Sequence, residues 1–546
     1  MNIKYLITIS FLAICMMLPL SCSEDILDQA NPNQISTVSF WRNADDAQLA
    51  VNGMYHPFTG TFHWGRITHV GALLRTDAMN IIPSSNNTTM STLQGAPGAA
   101  ISRWAVEPYQ ESYKVIFRAN AILENVTAEN VPDASTRNSI LGQAYFMRAF
   151  TYFYLVNMYG NVPAGAQGGI PLVTKTPDPS NNEELFPSQA TAQAVWDQII
   201  SDLTEASNAL PESWAGSDLG RPTKWSAAAL KGKSHLYRSG ILGTNEYADA
   251  ASEFVSVVGS GQFSLLPLSQ YGQNFSQVNE NNSESIFELQ YHPIGNGNFV
   301  WGQDIPRAGT QGNFVIEYAP PSQTPDNGHV INPWVKDLFE ANGDEGRRNS
   351  TLAYDYPGSI VNTTDDFTVG LAADIDIVNA LNTEPQNAGL EPVFSRKYSG
   401  LELPVGGTGF LGDDYGPNWR VIRYSDVLLM HAEALNESGN TSDAETFLNL
   451  VRERAEIVPV SGLSQGDMRQ AIIDERVLEL TGEGHRYFDL VRWGLADTYL
   501  GTNSAHAGPH PKSISGGTFT PGRDELIWIP ASEIQANPNL DQNPGY

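Results

Sequence analysis

The sequence predicts a mostly α fold: a frame of paired helices carrying a loop-rich, short-stranded insertion that forms the ligand-binding region. Three features predict it. From 139 to 259 the chain reads as a series of helices with small residues on one side and large ones on the other, and such faces let helices pack closely. The same texture returns in RYSDVLLMHAEALNESGNTSDAETFLNLVRERA (423–455), two helical periods joined by a Gly-Asn turn. Between these stretches, over 260–420, Gly, Asn, Pro, Ser and aromatic residues take over. There the helical period shrinks to HVINPWVKDLFEA (329–341), beside short alternating runs such as SIFELQYH. Loops of that composition on a rigid frame suit recognition, because they vary without disturbing the core.

The elements follow in chain order. After Lys4, the run LITISFLAICMMLPL (6–20) has the length of a signal-peptide apolar region and is short for a membrane span, so residues 1–21 are read as a removed export signal. Of the two cysteines, one lies in that signal and the other is Cys22, which leaves the mature chain no internal disulfide. A net charge of −29 argues against nucleic acid and anionic membrane surfaces as partners and suits neutral ligands better. No second apolar run is long enough to span a membrane, so any attachment to one must be through lipid. Phe40, Ala44, Ala47, Val51 and Tyr55 share a helical face, and a second helix is expected at about 104–126, with Trp104 in its apolar stripe. ILGQAYFMRAFTYFYLVNMYG continues for about five turns and stops at Gly160, ahead of Pro163. Helices in SQATAQAVWDQIISDLTEASNAL, PTKWSAAALKGKSHLYRSGIL and NEYADAASEFVSVVGS complete a first helical region over 22–259, and 421–546 returns to helix. There IIDERVLELTGEGHRYFDLVRWG (472–494) reads as one helix dense in both signs of charge. LIWIPASEIQANPNLDQNPGY (526–546) reads as a tail without helical period.

Several of these blocks carry resemblances. The paired helices, with 423–455, resemble tetratricopeptide repeats. The blocks at 423–455, 472–494 and 526–546, in that order and spacing, resemble the end of the SusD/RagB family of outer-membrane nutrient-binding lipoproteins. The early order of acidic patch, Pro-containing linker, FW, DA and NGMY resembles its start. Ser21-Cys22 resembles a lipoprotein signal-peptidase site, which implies lipidation of Cys22, and Ser23-Glu24-Asp25 resembles the surface-export signal of Bacteroidota lipoproteins. The resemblance implies a SusD-like fold whose helices pack against a SusC-like TonB-dependent transporter and whose 260–420 insertion carries most ligand contacts. It also implies a lipid-anchored protein, exposed on the outer-membrane surface, that captures an oligo- or polysaccharide for that transporter and is not an enzyme. Members of the family serve peptides as well as glycans, so peptide capture stays open, and a secreted glycoside hydrolase or lyase is the alternative from another class.

Candidate ligand residues follow from sugar chemistry. A pyranose offers a C–H face that packs on an aromatic plane and a rim of hydroxyls that calls for amide, carboxylate or guanidinium partners. YHPIGNGNFVWGQD (291–304) fits, with Tyr291, Asn298, Phe299 and Trp301 among glycines and amides. TFHWGR (61–66) places Trp64 in a Gly-flanked loop, and Asp77 in LRTDAMN resembles the family's acidic position near the early binding loop. Trp334 shares a helical face with Leu338 and is expected in the core, while Trp41, Trp196, Trp225, Trp419, Trp493 and Trp528 read as structural.

Catalytic and metal chemistry is thin. Glu475 and Glu479 stand one turn apart and could suggest a glycosidase pair. They alternate with Arg476, Arg486 and Arg492, so a partly buried ion-pair network that fixes the tail is expected instead. No phosphate loop, HExxH or GxSxG motif occurs, and no cofactor is expected. His506 and His510 sit in a Gly-Pro loop, and the acidic stretch 365–376 with Asp413 and Asp414 leaves a structural Ca²⁺ open without EF-hand spacing.

Overall fold

A computed structural model describes residues 40–60, 62–65, 68, 75–81, 103–291, 318, 329–354, 393–399, 417–501 and 519–546. Cys22, Asn298, Phe299, Trp301, the acidic stretch 365–376, Asp413, Asp414, His506 and His510 lie outside the described residues.

The mostly helical expectation holds. The first helix, α1, spans Ala44–Thr59 and is capped by the Asn43 side chain, which accepts from the Asp46 amide. Helices α2 (Arg103–Asn125), α3 (Ala134–Leu155), α4 (Ala192–Ala209), α5 (Lys224–Leu242) and α6 (Tyr247–Gly259) follow, each packed on its predecessor. The caps are legible in sequence: Asp133, Thr191 and Thr223 accept from amides in the first turns of α3, α4 and α5, and Thr223 with Ser226 forms a capping box. The helical run that α3 begins stops at Gly160 as predicted, because the five residues after Leu155, Val156–Gly160, continue it as a π turn. The small-against-large faces have a steric basis: a Cβ on Gly232 of α5 would lie 2.7 Å from the Phe254 ring of α6.

After α6 the chain leaves the frame and returns to it. The strand β1 (Met79–Ile81) pairs antiparallel with β3 (His329–Ile331), and β2 (Ser285–Leu289) pairs with β4 (Trp419–Arg423). Helices α7 (Pro333–Ala341) and α8 (Glu345–Thr351) lie between β3 and β4 in sequence. The stretch 329–341, read as helical, therefore begins as strand, because β1 supplies the backbone partners of residues 329–331; α8 is an added helix in a region read as loops. Directly after β4, α9 (Tyr424–Glu437) and α10 (Thr441–Arg454) form the expected hairpin, and α9 packs against α6 as though the insertion were absent. Stability rests on an apolar core that threads these helices among the described residues.

The charged stretch 472–494 is two helices, not one. The first, α11, covers Gln465–Leu480, and α12 covers Arg486–Arg492; between them Gly482 (φ +83°) and Gly484 (φ +79°) turn the chain. Those left-handed conformations break the helix despite the favourable charge spacing. The tail contains one short helix, α13 (Ala531–Ala536), after Pro530. Its anchor is amide chemistry, not ion pairs. Asn543 Oδ1 accepts from the Gly169 amide at 2.9 Å, and its Nδ2 donates to the carbonyls of Tyr159 (2.9 Å) and Ile527 (2.7 Å). The Tyr487 hydroxyl and the Arg75 guanidinium hold the carbonyls at Asp524–Leu526. Trp104, Trp196, Trp419 and Trp528 are buried, as expected.

Candidate functional site

Two neighbouring groups of buried polar side chains meet at the turn Glu483–Gly484–His485. One is a dense ion-pair network, the other an aromatic chamber.

In the network, Glu475 and Glu479 of α11 are both 0 % exposed. Arg347 of α8 reaches Glu475 Oε1 at 2.6 Å and Glu479 Oε2 at 3.0 Å. Arg452 holds the other Glu475 oxygen at 2.8 Å, and Arg423 and Arg454 hold Glu479 Oε1 at 2.9 and 2.6 Å. Arg423 also binds Glu284 and Glu483, and Lys397 binds Glu483 at 2.8 Å. Burial pushes the Glu479 carboxyl up, but the guanidiniums of Arg454, Arg423 and Arg347 outweigh it and hold it well below the usual carboxylate range. A carboxylate so held neither donates a proton nor faces a substrate, which removes the glycosidase reading of this pair. The expected network is therefore present with different partners: Arg476 and Arg492 pair with Asp426, Asp489 and Glu433, and Arg486 leaves the network altogether.

Arg486 instead binds Asp77, donating from Nε to Oδ1 at 3.0 Å and from Nη2 to Oδ2 at 2.9 Å. The Asp77 carbonyl accepts from Trp334 Nε1 at 2.7 Å and from Asn332 Nδ2 at 2.5 Å. Asp77 is buried, so its carboxylate joins early chain to late chain and is not presented to a ligand. Tyr291 is corrected likewise: it follows β2, its amide donates to Asn418 Oδ1 at 2.7 Å, and its ring is 4 % exposed in the core. The strand before it is buried at four consecutive positions, Ile286–Leu289, and Tyr291 just beyond is buried as well, where no sugar can stack.

Trp64 fares differently. It sits just after α1, in a tight turn where its amide donates to the Phe58 carbonyl (3.1 Å) and the Gly65 amide to the Gly60 carbonyl (2.9 Å). A Cβ on Gly65 would lie 2.7 Å from the Gly60 oxygen, so the turn requires glycine. The half-buried indole packs on Phe58, Phe150 and Tyr154, with centroids 5.9, 5.5 and 6.0 Å away, and borders a chamber with room of about 60 Å³ for water-sized occupants.

Helical and strand periodicities build the rest of that chamber. Phe150, Phe153, Tyr154 and Asn157 come from one face of α3 and its π turn, and Leu230, Lys233 and Tyr237 from one face of α5. Trp419 and Val421 come from alternate positions of β4, and His485 and Phe488 close the side toward α12. Beyond Gly484 and His485 lies a smaller cavity of about 20 Å³, beside Thr76, Met79 and Arg486.

The chamber's polar groups are few and specific. Lys233 Nζ donates to Asp426 Oδ2 at 3.1 Å and to His485 Nδ1 at 3.3 Å. An ammonium cannot accept, so His485 accepts at Nδ1 and carries its proton on Nε2. Burial and then the Lys233 charge push the His485 imidazole down to about 4, so it is neutral at pH 7. Burial lowers Lys233 as well, with Asp426 opposing the shift. The Tyr237 ring is 1 % exposed, and its hydroxyl has no hydrogen-bond partner. These residues carried a signal that composition alone did not single out: Lys233 interrupts an otherwise small and apolar face of α5, between Leu230 and Tyr237. Among the described residues, no group of three His, Cys, Asp or Glu is placed to hold a metal, and no helix is long and apolar enough to cross a membrane.

Comparison with known proteins places this geometry in context. The SusD family profile matches residues 394–546, and one described as starch-binding and associating with the outer membrane matches residues 76–236. A SusD-like protein of Formosa agariphila, P2, is 28 % identical, with 100 % of both chains aligned. A solved SusD homologue from Bacteroides thetaiotaomicron covers 93 % of this chain and 98 % of its own, at a TM-score of 0.72 and 22 % identity. A laminarin-binding SusD-like protein of known structure covers 92 % of this chain and 100 % of its own, at a TM-score of 0.67 and 26 % identity.

Proposed function

This chain belongs to the SusD/RagB family, whose profile descriptions name starch binding and association with the outer membrane, and from that premise we propose that it is a cell-surface glycan-binding protein without catalytic activity. It captures an oligo- or polysaccharide and passes it to a SusC-like TonB-dependent transporter. Lipid on Cys22 anchors it to the outer membrane, and residues 260–420 supply most of the ligand contacts, Asn298, Phe299 and Trp301 among them, and Trp64 contributes as well.

The observation that carries this reading is the end-to-end alignment with a SusD-like relative. Two physical facts support it. The acidic pair that a hydrolase would need is buried and saturated by arginine. The helical frame closes through the packing of α6 on α9, on either side of 260–420 in sequence, so it does not depend on the loops of that region for its continuity.

The test is affinity screening of the mature protein against a polysaccharide panel, with product analysis after long incubation. Retention of at least one glycan without shorter products is expected. Release of oligosaccharides that disappears in Glu475→Gln would replace the reading with a hydrolase. For the anchor, Cys22→Ala should give a folded protein that takes up no labelled lipid.

A further inference from the structure

The aromatic chamber behind Trp64 has an unusual pairing of properties: walls of ring and aliphatic carbon, and donors whose hydrogen-bonding capacity is unspent. Tyr237 is the plainest case. A buried hydroxyl without a partner is uncommon, because it forgoes hydration and gains nothing in return. Its hydroxyl has no partner, and it lines the chamber. Lys233 also lines the chamber and is 5 % exposed; it has three N–H donors and uses two, on Asp426 and His485. His485 also lines the chamber, with Nε2 fixed as its donor by that same contact.

Size and chemistry narrow the occupant. Room of about 60 Å³ is well under the roughly 150 Å³ that admits benzene. A whole pyranose is excluded, and so is a phenyl ring. A hydrocarbon of that size would leave the donors unpaired, and a fully hydroxylated group would waste the rings of Phe150, Tyr154 and Trp419. A short acyl group meets both demands, with a methyl for the rings and a carbonyl oxygen for the donors. We propose that the chamber is a subsite for a small acyl group, its methyl packed against Phe150 and Trp419 and its carbonyl oxygen accepting from Tyr237 and Lys233.

As the acetyl substituent of a captured sugar, that group rests on the glycan-capture reading above; the acyl site itself is tested separately. The mature protein, labelled at its Leu, Val and Ile methyls, is titrated with N-methylacetamide. The methyls of Leu230, Val421 and Ile422 are expected to shift saturably. Tyr237→Phe removes only the unpaired hydroxyl, so it should keep or raise the melting temperature. It should weaken probe binding about three- to tenfold, the range of one neutral hydrogen bond. Val421→Phe fills the chamber and should abolish the shifts.

Absence of shifts in the unmodified protein at saturating probe, or shifts that survive in folded Val421→Phe, overturns the proposal. So does equal binding of isobutane, which would make the chamber a plain apolar void, or retention of ordered water in place of the probe. If the panel finds no glycan while the probe binds, the capture reading fails and the acyl site stands. If a glycan binds and the probe does not, the acyl site fails alone.

Discussion

The network around Glu479 and the chamber around Tyr237 are adjacent and share the turn at Glu483–His485, yet they spend their buried polar atoms in opposite ways. In the network each carboxylate meets at least two cations, and α8, β4, α10 and α11 are tied together. In the chamber the charged lining residues are Lys233, answered by Asp426, and Glu483, while the Tyr237 hydroxyl goes unanswered. Burial alone does not separate the two, since both are nearly dry. Charge pairing and room do: the network's carboxylates are each held by cations and fix the frame, although Arg454 Nε there also lacks a hydrogen bond, whereas the chamber sets about 60 Å³ of room beside its unpaired hydroxyl.

The sharpest way to break that comparison is at Glu479. Glu479→Ala leaves Arg454 and Arg423 short of a counter-charge in the core. It should lower stability by about 3–5 kcal/mol, the usual cost of breaking a buried ion pair from one side. Denaturant unfolding reads this, and the folded fraction should bind glycan as before; a stable protein that no longer binds would mean the network is part of the site. Asp77→Ala comes next. Loss of the bidentate Arg486 pair should cost about 2–4 kcal/mol, with glycan affinity changed less than the melting temperature. The reverse ranking would return Asp77 to the ligand site.

Trp64→Ala tests the chamber's edge. Glycan affinity should fall roughly five- to hundredfold, as for aromatic hot spots worth about 1–3 kcal/mol. Trp301→Ala, outside the described residues, should match or exceed it if 260–420 carries the main contacts. A large drop in melting temperature with unchanged affinity would make Trp64 purely structural.

The smallest effect concerns pH. Burial and the neighbouring Glu288 push the Glu280 carboxyl up to about 7, against the Asn418 amide and Arg420, so the fold favours its protonated form. That contribution is fully present below the unfolded-state value near 4.5 and is lost as pH rises through 7. His485 and His431, both pushed down to about 4 by burial, act oppositely: they favour the neutral form, and their contribution is lost as pH falls from 6.5 toward 4. Glu280→Gln should therefore be more stable than the parent at pH 8 by about 1 kcal/mol, after discounting for partial exposure, and equal to it at pH 4.5. Melting curves at the two pH values check this; an advantage that does not shrink toward low pH would exclude Glu280 as the source.

By itself the sequence determined the helices and the connection between them. Period, caps such as Thr223 and Asp133, and stops such as Gly160 are local: residues three or four apart share a face, and a cap needs only its own first turn. The hairpin at 423–455 and the return of the frame after 420 were legible for the same reason, and the ordered motifs at 423–546 pointed to the family. What the sequence left undecided was which way long-range partners face. Arg347 lies far in sequence from Glu479, and Arg486 from Asp77, so charge spacing inside 472–494 found Arg476 and Arg492 beside Asp489 but not the distant partners of Glu475, Glu479 and Arg486. Tyr291 read as a loop aromatic, and only the pairing of β2 with β4 turned it into the core. The chamber likewise exists only in three dimensions. Lys233 stands out on its helix face, but Phe150, Trp419 and His485 are unremarkable where they stand in sequence, and the cavity appears where their elements converge without quite filling the space between them.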